Sequence, residues 1–314
     1  YKAFRLSLVK SIPLRSDRFG IEPEITIKLA QRQASIFELP ISYYGRTYAE
    51  GKKIGLKDAI QAFFVILRYG LSRDIYADNG AAILDSLAQT PRFNKWMAST
   101  VAPFLGARVL ELGAGIGNLT MHLSRGRKLY IASDIDAEHI SRLRTRFQFR
   151  PNLRIRECDL EKLQNFKDIT DTVDSVMCLN VLEHVKDDML GLKNIYSLLQ
   201  PGGRVVILVP QGMGIYGTLD KVLGHWRRYT EEELSTKLES VGFKMEHMLR
   251  FNRVTRPAWF VNGRIFKKET FSRFQLWVFD NLVWLWKILD KVLPWNPVSI
   301  IAVAVKPGAA ATNL

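Results

Sequence analysis

Cysteine is scarce in this chain. It has two among 314 residues, Cys158 and Cys178. That excludes a disulfide scaffold and a four-cysteine zinc site. Both thiols fall in apolar, strand-like runs, where a small buried side chain is the plain reading, and a reducing compartment is expected. Long apolar runs are missing too. A membrane-crossing helix needs about 18 or more apolar residues, and the uncharged run Val292–Val305 is shorter and holds Pro294 and Pro297. There is no charged-then-apolar leader. The chain opens on Tyr1, and the expectation is that residues precede it in the natural protein. A cytoplasmic location follows as an expectation. Acidic residues are the scarcer charge, 31 against 45 Lys and Arg, for a net charge of +14. With 47% hydrophobic and 24% charged residues, wholesale disorder is excluded.

The positive charge is concentrated. Residues 1–75 carry 13 basic and 7 acidic residues, net +6, and residues 250–291 carry 9 and 3, also net +6. An excess of this kind implies an anionic partner: nucleic acid, acidic lipid or a phosphorylated small molecule. Length suggests about two domains, at roughly 150 residues each.

Three regions emerge. Residues 1–75 read as a helix over 22–33, a strand over 35–44 with alternating apolar positions, and an amphipathic helix over 57–71 with basic ends. Residues 76–250 alternate strands (107–114, 128–134, 153–159, 174–180, 203–210, 243–251) with helices such as 136–148 and 187–199. That alternation predicts a parallel sheet covered on both faces. Residues 251–297 hold five of the seven tryptophans, Trp259, Trp277, Trp284, Trp286 and Trp295, and a final strand covers 298–306.

The motif with most chemical content is VLELGAGIGN, residues 109–118. A buried strand runs into Gly113, Gly115 and Gly117, and a helix is predicted from about Asn118. Glycines allow a sharp turn and close approach of a ligand to the backbone, and the helix start offers free N–H groups. A dinucleotide turn places its third glycine five residues after the first. Here that position is Asn118, and the third glycine falls at Gly117, so a pyrophosphate site is disfavoured.

The turn, with Glu111 two residues before its first glycine, resembles motif I of class I S-adenosylmethionine-dependent methyltransferases. The resemblance extends over about 78–314. It implies a doubly wound, mostly parallel seven-stranded Rossmann-like sheet and S-adenosylmethionine as cofactor. In IASDID it places Asp134 against the ribose hydroxyls, with Ile135 beside it. In RECDLEKL it places Asp159 and Leu160 near the adenine. In DSVMCLNVLEHV it places Asn180 near the methionine end, and LLQPGGRVVILVP matches the fifth strand. Glu111, Gly113, Gly115, Gly117 and Asn118 complete the implied cofactor set. The RFNKWM helix before the core could cover the cofactor, and ordinary packing against the core is the plainer expectation.

Methyl transfer is an in-line displacement at a sulfonium methyl, so orientation does most of the work, and a hydroxyl acceptor also benefits from a general base. Two segments could supply one. NVLEHV carries His184. It is similar to a string of quinone-pathway O-methyltransferases, but Asn180 stands where those carry a further acid, so no metal site is expected. GTLDKVLGHWRRYTEEEL, residues 217–234, carries His225, Arg227, Arg228 and Tyr229. Thr230 is the predicted cap of the next helix, with Glu233 three residues on. His225, Arg228, Tyr229 and His184 are therefore the candidate catalytic residues, with the arginines suited to a phosphate or carboxylate on the acceptor.

Residues 1–75 resemble something else, the C-terminal end of a family 2 glycosyltransferase domain of the dolichyl-phosphate mannose synthase type. The pieces are residues 1–5, 17–26, 36–55 and the stretch from Lys57. The resemblance implies that Arg46, Lys52 and Lys53 lie near phosphates, and that Glu22 and Glu24 belong to an acidic helix near the acceptor. The donor half would precede Tyr1, so sugar transfer by this chain is not expected.

The expectation is thus a methyltransferase of α/β fold, residues 76–314, behind a glycosyltransferase remnant. A small-molecule or lipid-linked acceptor is expected, with an anionic membrane surface at the inner face as a further partner through the Trp-rich stretch. Two rivals are a non-catalytic membrane-docking module and a nucleic-acid methyltransferase. The second is disfavoured because Asn180 is not followed by the Pro-Pro-aromatic tail of amino-methylating DNA enzymes.

Overall fold

The computed structural model describes residues 2–32, 34, 36–42, 44, 55–72, 74–76, 85–86, 89–162, 169, 172–270 and 272–308. The chain divides into two compact units, Tyr1–Ala82 and Ile83–Leu314.

The described residues of the first unit hold three α-helices, α1 (Leu6–Lys10), α2 (Ile21–Gln31) and α3 (Leu56–Leu71), and no strand. The helices match the expected 22–33 and 57–71. The expected strand over 35–44 does not form in its described residues, 36–42 and 44. A strand needs a partner ladder, and the described residues of this unit offer none. Ile12, Ile25 and Leu29 make a small core. Beside it, Lys28 is buried with its Nζ 2.7 Å from Glu24 and 4.4 Å from the Tyr69 ring centre. Glu24 also accepts from the Arg15 and Ser16 amides at 3.0 and 2.6 Å. Burial works to raise its pKa, but Lys28 and these donors outweigh burial and hold it near 2. Glu24 is thus spent inside the unit rather than presented to an acceptor, whereas Glu22 pairs with Lys2 at the surface. Arg46, Lys52 and Lys53 lie outside the described residues.

The second unit is built on one seven-stranded sheet of order β3-β2-β1-β4-β5-β7-β6. Its strands are β1 (Arg108–Leu112), β2 (Leu129–Asp134), β3 (Leu153–Glu157), β4 (Val173–Leu179), β5 (Leu199–Pro210), β6 (Lys244–Phe251) and β7 (Ser299–Val305). The pairs among β1 to β5 are parallel, and β7 runs antiparallel between β5 and β6. Side chains alternate across the sheet, and both faces are covered. Leu110, Val176, Cys178, Val205 and Ile207 face one apolar cluster, and Val109, Tyr130, Met177, Val206 and Val303 face the other. Each fully buried aliphatic side chain contributes about 1.5–3 kcal/mol. Burial on both faces explains the near-continuous apolar runs in the sequence. Both cysteines are buried free thiols.

The covering helices are α4 (Pro91–Val101), α5 (Thr120–Leu123), α6 (Ala137–Phe147), α7 (Asp188–Leu198), α8 (Thr218–Leu223), α9 (Glu231–Val241), α10 (Arg256–Phe260), α11 (Arg273–Asn281) and α12 (Val283–Val292). On α4, Phe93 and Trp96 pack against Phe251, and Phe93 also meets Phe279. This helix is core, as its sequence predicts. The Trp-rich stretch is not one helix. It breaks at Leu282, which closes α11 and caps α12. Among the described residues no helix is long and apolar enough to cross a membrane.

Candidate active site

The loops that follow β1, β2 and β4 meet at the carboxyl edge of the parallel strands, where open α/β sheets bind ligands. The β1 turn holds Gly113, Gly115 and Gly117 at φ of +69°, +55° and +83°, in the left-handed region that side-chain-bearing residues avoid. The three do different work. A Cβ on Gly113 would fall 2.2 Å from Val181, and one on Gly117 would fall 2.4 Å from Phe147, so these two allow close packing. A Cβ on Gly115 would meet nothing within 4 Å. The turn is therefore open beside Gly115 and closed beside the other two glycines.

Asp134 ends β2 and is nearly buried. Its Oδ2 accepts the Gly115 N–H at 2.7 Å, and its Oδ1 accepts the Asp136 N–H at 2.9 Å. The His139 ring Nδ1 lies 3.2 Å from Oδ1. Burial pushes the Asp134 carboxyl up, but His139 and the two amides overcome it and its pKa is lowered, while Asp134 holds His139 above its ordinary value despite burial. Asp136 has a different task. Its Oδ1 accepts the Glu138 and His139 amides and caps α6. The two acids of IASDID thus have different partners within the chain. Ile135, between them, is exposed.

The other implied cofactor residues fall on the same edge, with differences. Asn180 follows β4, is exposed, and has φ of +54°. Asparagine is among the few side-chain-bearing residues that adopt this left-handed conformation readily, so it suits the sharp turn after β4. Asp159 bonds the Glu161 amide at 3.0 Å and pairs with Lys162, so it also shapes its own turn. Leu160 is buried and packs near Gly191. Its side chain is core, and only its backbone can face a ligand. Asn118 accepts from Arg146 at 3.3 Å. Glu111 is buried beneath the turn, where Oε2 accepts the hydroxyls of Thr120 at 2.5 Å and Tyr130 at 3.0 Å. Burial lifts its pKa to about 7 against both hydrogen bonds. It holds the turn up from below.

The candidate catalytic residues separate into two groups. His184 and His225 come together, with ring centres 4.8 Å apart at 79°. Glu183 lies beneath them, fully buried, with Oε1 4.0 Å from His225 Nε2. Burial, with Asp220 adding, raises the Glu183 pKa to about 8. Burial and the neighbouring His225 push His184 down to about 4. Arg228 and Tyr229 are placed otherwise than the sequence suggested. Both are buried. Arg228 donates Nε to Asp220 Oδ1 at 2.7 Å and lies over Trp259. The Tyr229 hydroxyl donates to Asp188 at 2.9 Å, and burial raises its pKa. They brace the loop from within, because its basic and aromatic tips find internal acids. Arg227 also pairs with Asp188. Thr230 caps α9 through the Glu233 amide.

Asp220, Asp188 and His139 are the residues that sequence reading missed. Asp220 sits in α8 and gathers His225, Arg228, the Gly217 amide and the Trp259 indole N–H. Asp188 gathers Tyr229, Arg227 and Lys237. Nothing in local spacing marks either acid. Their partners arrive from up to 49 residues away.

Comparison with known proteins agrees with this geometry. Residues 110–205 match the family model described as a methyltransferase domain. A bovine (Bos taurus) mitochondrial ubiquinone biosynthesis O-methyltransferase is 28% identical over 161 residues, 46% of this chain and 43% of that protein. A Mycolicibacterium smegmatis protein named as a probable S-adenosylmethionine-dependent methyltransferase is 29% identical over 147 residues, 46% of this chain and 54% of its own. The chain thus spans about half the length of these relatives. Among solved structures, the complex that pairs the Haloferax volcanii Trm112 methyltransferase activator with a candidate methyltransferase aligns with TM-score 0.50 and 15% identity. The alignment covers 73% of this chain and 97% of that one, and it shows the shared fold. Sheet order, the open glycine turn and the family match over residues 110–205 together support an S-adenosylmethionine-dependent methyltransferase domain in the second unit.

Proposed function

We propose that this chain transfers a methyl group from S-adenosylmethionine to a small-molecule acceptor. The observation that carries the reading is the open space beside Gly115, bordered by Asp134 at the end of β2 and by Asn180 at the end of β4. The residues fit the cofactor. A carboxylate offers about four acceptor positions, and three on Asp134 are already met by this chain's own groups. One ribose hydroxyl can add directly, and a second would have to displace His139. The cofactor supplies an electrophilic methyl. Gly115, Asp134 and Asn180 would hold it, and the methyl would pass to a lone pair of the acceptor, leaving the C–S electron pair on sulfur. The proton the acceptor loses goes to solvent or to the Glu183–His184–His225 group.

An acceptor bearing a phosphate or a lipid tail is the finer reading. The net charge of +14 supports it. So do the aromatic residues exposed on α11 and α12: Phe274, Trp277 and Trp284. Residues 1–75 as the tail of a lipid-directed glycosyltransferase belong to the same reading, supported by the sequence resemblance alone. The direct test is mass spectrometry of a cell extract incubated with the purified chain and cofactor labelled at the methyl group. A labelled product absent from a Gly115→Val control is expected. Cofactor binding by calorimetry with no labelled product in any extract would favour a docking module that keeps the fold.

A further inference from the structure

Opposite charge covers the two faces of the second unit's sheet. Helices α4, α6 and α12 bury Val101, Leu143 and Val283 against one face, and α11 joins them where Phe279 meets Phe93. These four helices carry 8 basic and 3 acidic residues, net +5. Helices α7 and α9 bury Leu192, Ile195 and Leu234 against the other face. They carry 2 basic and 5 acidic residues, net −3. Two of the three acids in the basic layer are spent inside it. Asp280 accepts the Phe93 N–H at 2.9 Å and Asp290 the Asn252 N–H at 3.2 Å, and both are buried. The turns 124–128 and 148–152 add Arg125, Arg127, Lys128 and Arg150 and no acid. Asn152 ties the two turns together through the Ser124 and Arg127 carbonyls at 2.7 and 3.0 Å. The cations crowd one another. Burial, with Lys95, Arg146 and Arg125 adding, lowers the pKa of His122, so cations of α4, α6 and a turn surround one ring. Arg146 gives its guanidinium to the Ile116 carbonyl at 2.8 Å and to Asn118 Oδ1 at 3.3 Å rather than to an acid. Crowded like charges repel one another and draw in anions.

The basic layer also exposes large apolar side chains: Phe149 just after α6, Phe274 and Trp277 on α11, and Trp284, Ile288 and Val292 on α12. Of the large apolar side chains on α7 and α9, Leu190 alone is exposed. Apolar side chains gathered on one face mark a contact surface. Arginines with exposed rings would suit single-stranded nucleic acid, whose bases stack on aromatic faces. Ile288 and Val292 have no ring and offer a base nothing to stack on. Aliphatic and indole side chains among cations suit instead the boundary between phosphate headgroups and acyl chains. We propose that the outer face of α4, α6, α11 and α12 lies flat on an anionic phospholipid bilayer. The arginines of α6 and the two turns engage phosphates, and the apolar side chains of α11 and α12 enter the headgroup–acyl boundary. The acidic layer of α7 and α9 faces away. This orientation rests on charge and exposure, and it needs neither methyl transfer nor a lipid acceptor.

The test is flotation of the full chain at low salt with vesicles of phosphatidylglycerol and phosphatidylcholine in equal parts, beside vesicles of phosphatidylcholine alone. The wild-type chain should favour the anionic vesicles at least tenfold. Arg125 and Arg144 are exposed, so Arg125→Glu with Arg144→Glu reverses two charges of the face and should cut flotation at least tenfold, with the circular dichroism spectrum unchanged. Should the double variant fail to fold, Arg144→Gln decides, with a loss of about fivefold expected. Lys193 is exposed on α7, and Lys193→Glu, on the opposite layer, should float as wild type does. Wild type left at the bottom of the gradient would overturn the proposal. So would a folded arginine variant that floats like wild type, or a Lys193→Glu loss as large as that of the arginine variant. A chain that ignores the vesicles but retards a labelled single-stranded oligonucleotide would give the face to nucleic acid and overturn the bilayer. Calorimetry with S-adenosylmethionine keeps the two readings apart. Lost flotation with cofactor binding intact is expected of the arginine variant, and a wild-type chain that floats but binds no cofactor would sink the proposed function alone.

Discussion

The carboxylate of Asp134 accepts the backbone N–H of Gly115 at 2.7 Å, tying the end of β2 to the turn that follows β1. The same side chain that should hold the ribose therefore also sets the shape of the glycine turn. Asp134→Ala should weaken S-adenosylmethionine binding by about 1.5–3 kcal/mol, the scale of a hydrogen bond to a charged group. It should also leave the Gly115 and Asp136 amides without their acceptor. The pair with His139 adds a pH signature. Asp134 has a lowered pKa, so its contribution is present above its ordinary 3.8 and is lost as pH falls through the lowered value. His139 has a raised pKa, so its contribution is present below its ordinary 6.5 and is lost as pH rises through the raised value. The pair thus stabilises most between the two. In Asp134→Ala the His139 imidazole should titrate at lower pH by NMR. An unmoved His139 together with unchanged cofactor affinity would remove Asp134 from the site.

The glycines of the turn should separate by phenotype. Gly115→Val places bulk in the only open direction of the three and should abolish cofactor binding. Its own backbone strain, on the order of 1–2 kcal/mol, should lower the melting temperature modestly. Gly113→Ala and Gly117→Ala drive a methyl into Val181 and Phe147 and should cost more stability, as overpacking adds about 1–3 kcal/mol to that strain. Calorimetry beside thermal melts gives both readouts. Equal affinity in Gly115→Val and wild type would contradict the cofactor assignment.

Glu111 predicts a stability that falls with pH. Its pKa is raised from 4.5 to about 7, chiefly by burial. A raised acid favours the folded state while protonated, so its contribution is fully present below pH 4.5 and is lost as pH rises through about 7. The full shift corresponds to about 3 kcal/mol at high pH, at 1.36 kcal/mol per unit. Glu111→Gln keeps the shape and removes the charge. Denaturant unfolding should show it more stable than wild type at pH 8 and nearly equal at pH 4.5. A parallel pair of pH profiles would mean that Glu111 is solvated or already paired when charged.

Much of the second unit was legible because its signals are local. Strand runs such as 128–134 bury both faces and read as apolar whatever their neighbours, and the glycine turn advertises its positive φ by residue type. Asp136 as the cap of α6 is a local matter too. What was hidden depends on distant partners. Arg228 and Tyr229 look like substrate ligands in a basic loop until Asp220 and Asp188 claim them. The 35–44 stretch alternates like a strand, but alternation cannot supply a ladder partner. In 273–292 the helical period shows an apolar arc without showing which part of it the core takes. The structure gives Val283 to the core and packs Trp286 against it, while Trp284 stays outside.

That division frames the membrane prediction. Trp277, Trp284 and Ile288 are exposed, together with Phe274 and Val292, and the segment that precedes them in sequence carries the cations Arg264, Lys267 and Lys268. Aromatic rings beside cations suit the headgroup level of an anionic bilayer, where the ring is apolar and the indole N–H stays wet. Flotation with anionic liposomes at low salt should carry the chain upward, and raising salt should weaken it as the cationic contribution is screened. Trp284→Glu touches an exposed ring, so it should cut flotation several-fold and leave the melting temperature within a few degrees. Trp286→Ala removes a ring whose N–H donates to the Phe279 carbonyl at 2.9 Å, and it should lower stability with less effect on flotation. If the chain stays at the bottom of the gradient at low salt, or if Trp284→Glu floats as wild type does, the exposed aromatics of α11 and α12 are not a membrane-binding face.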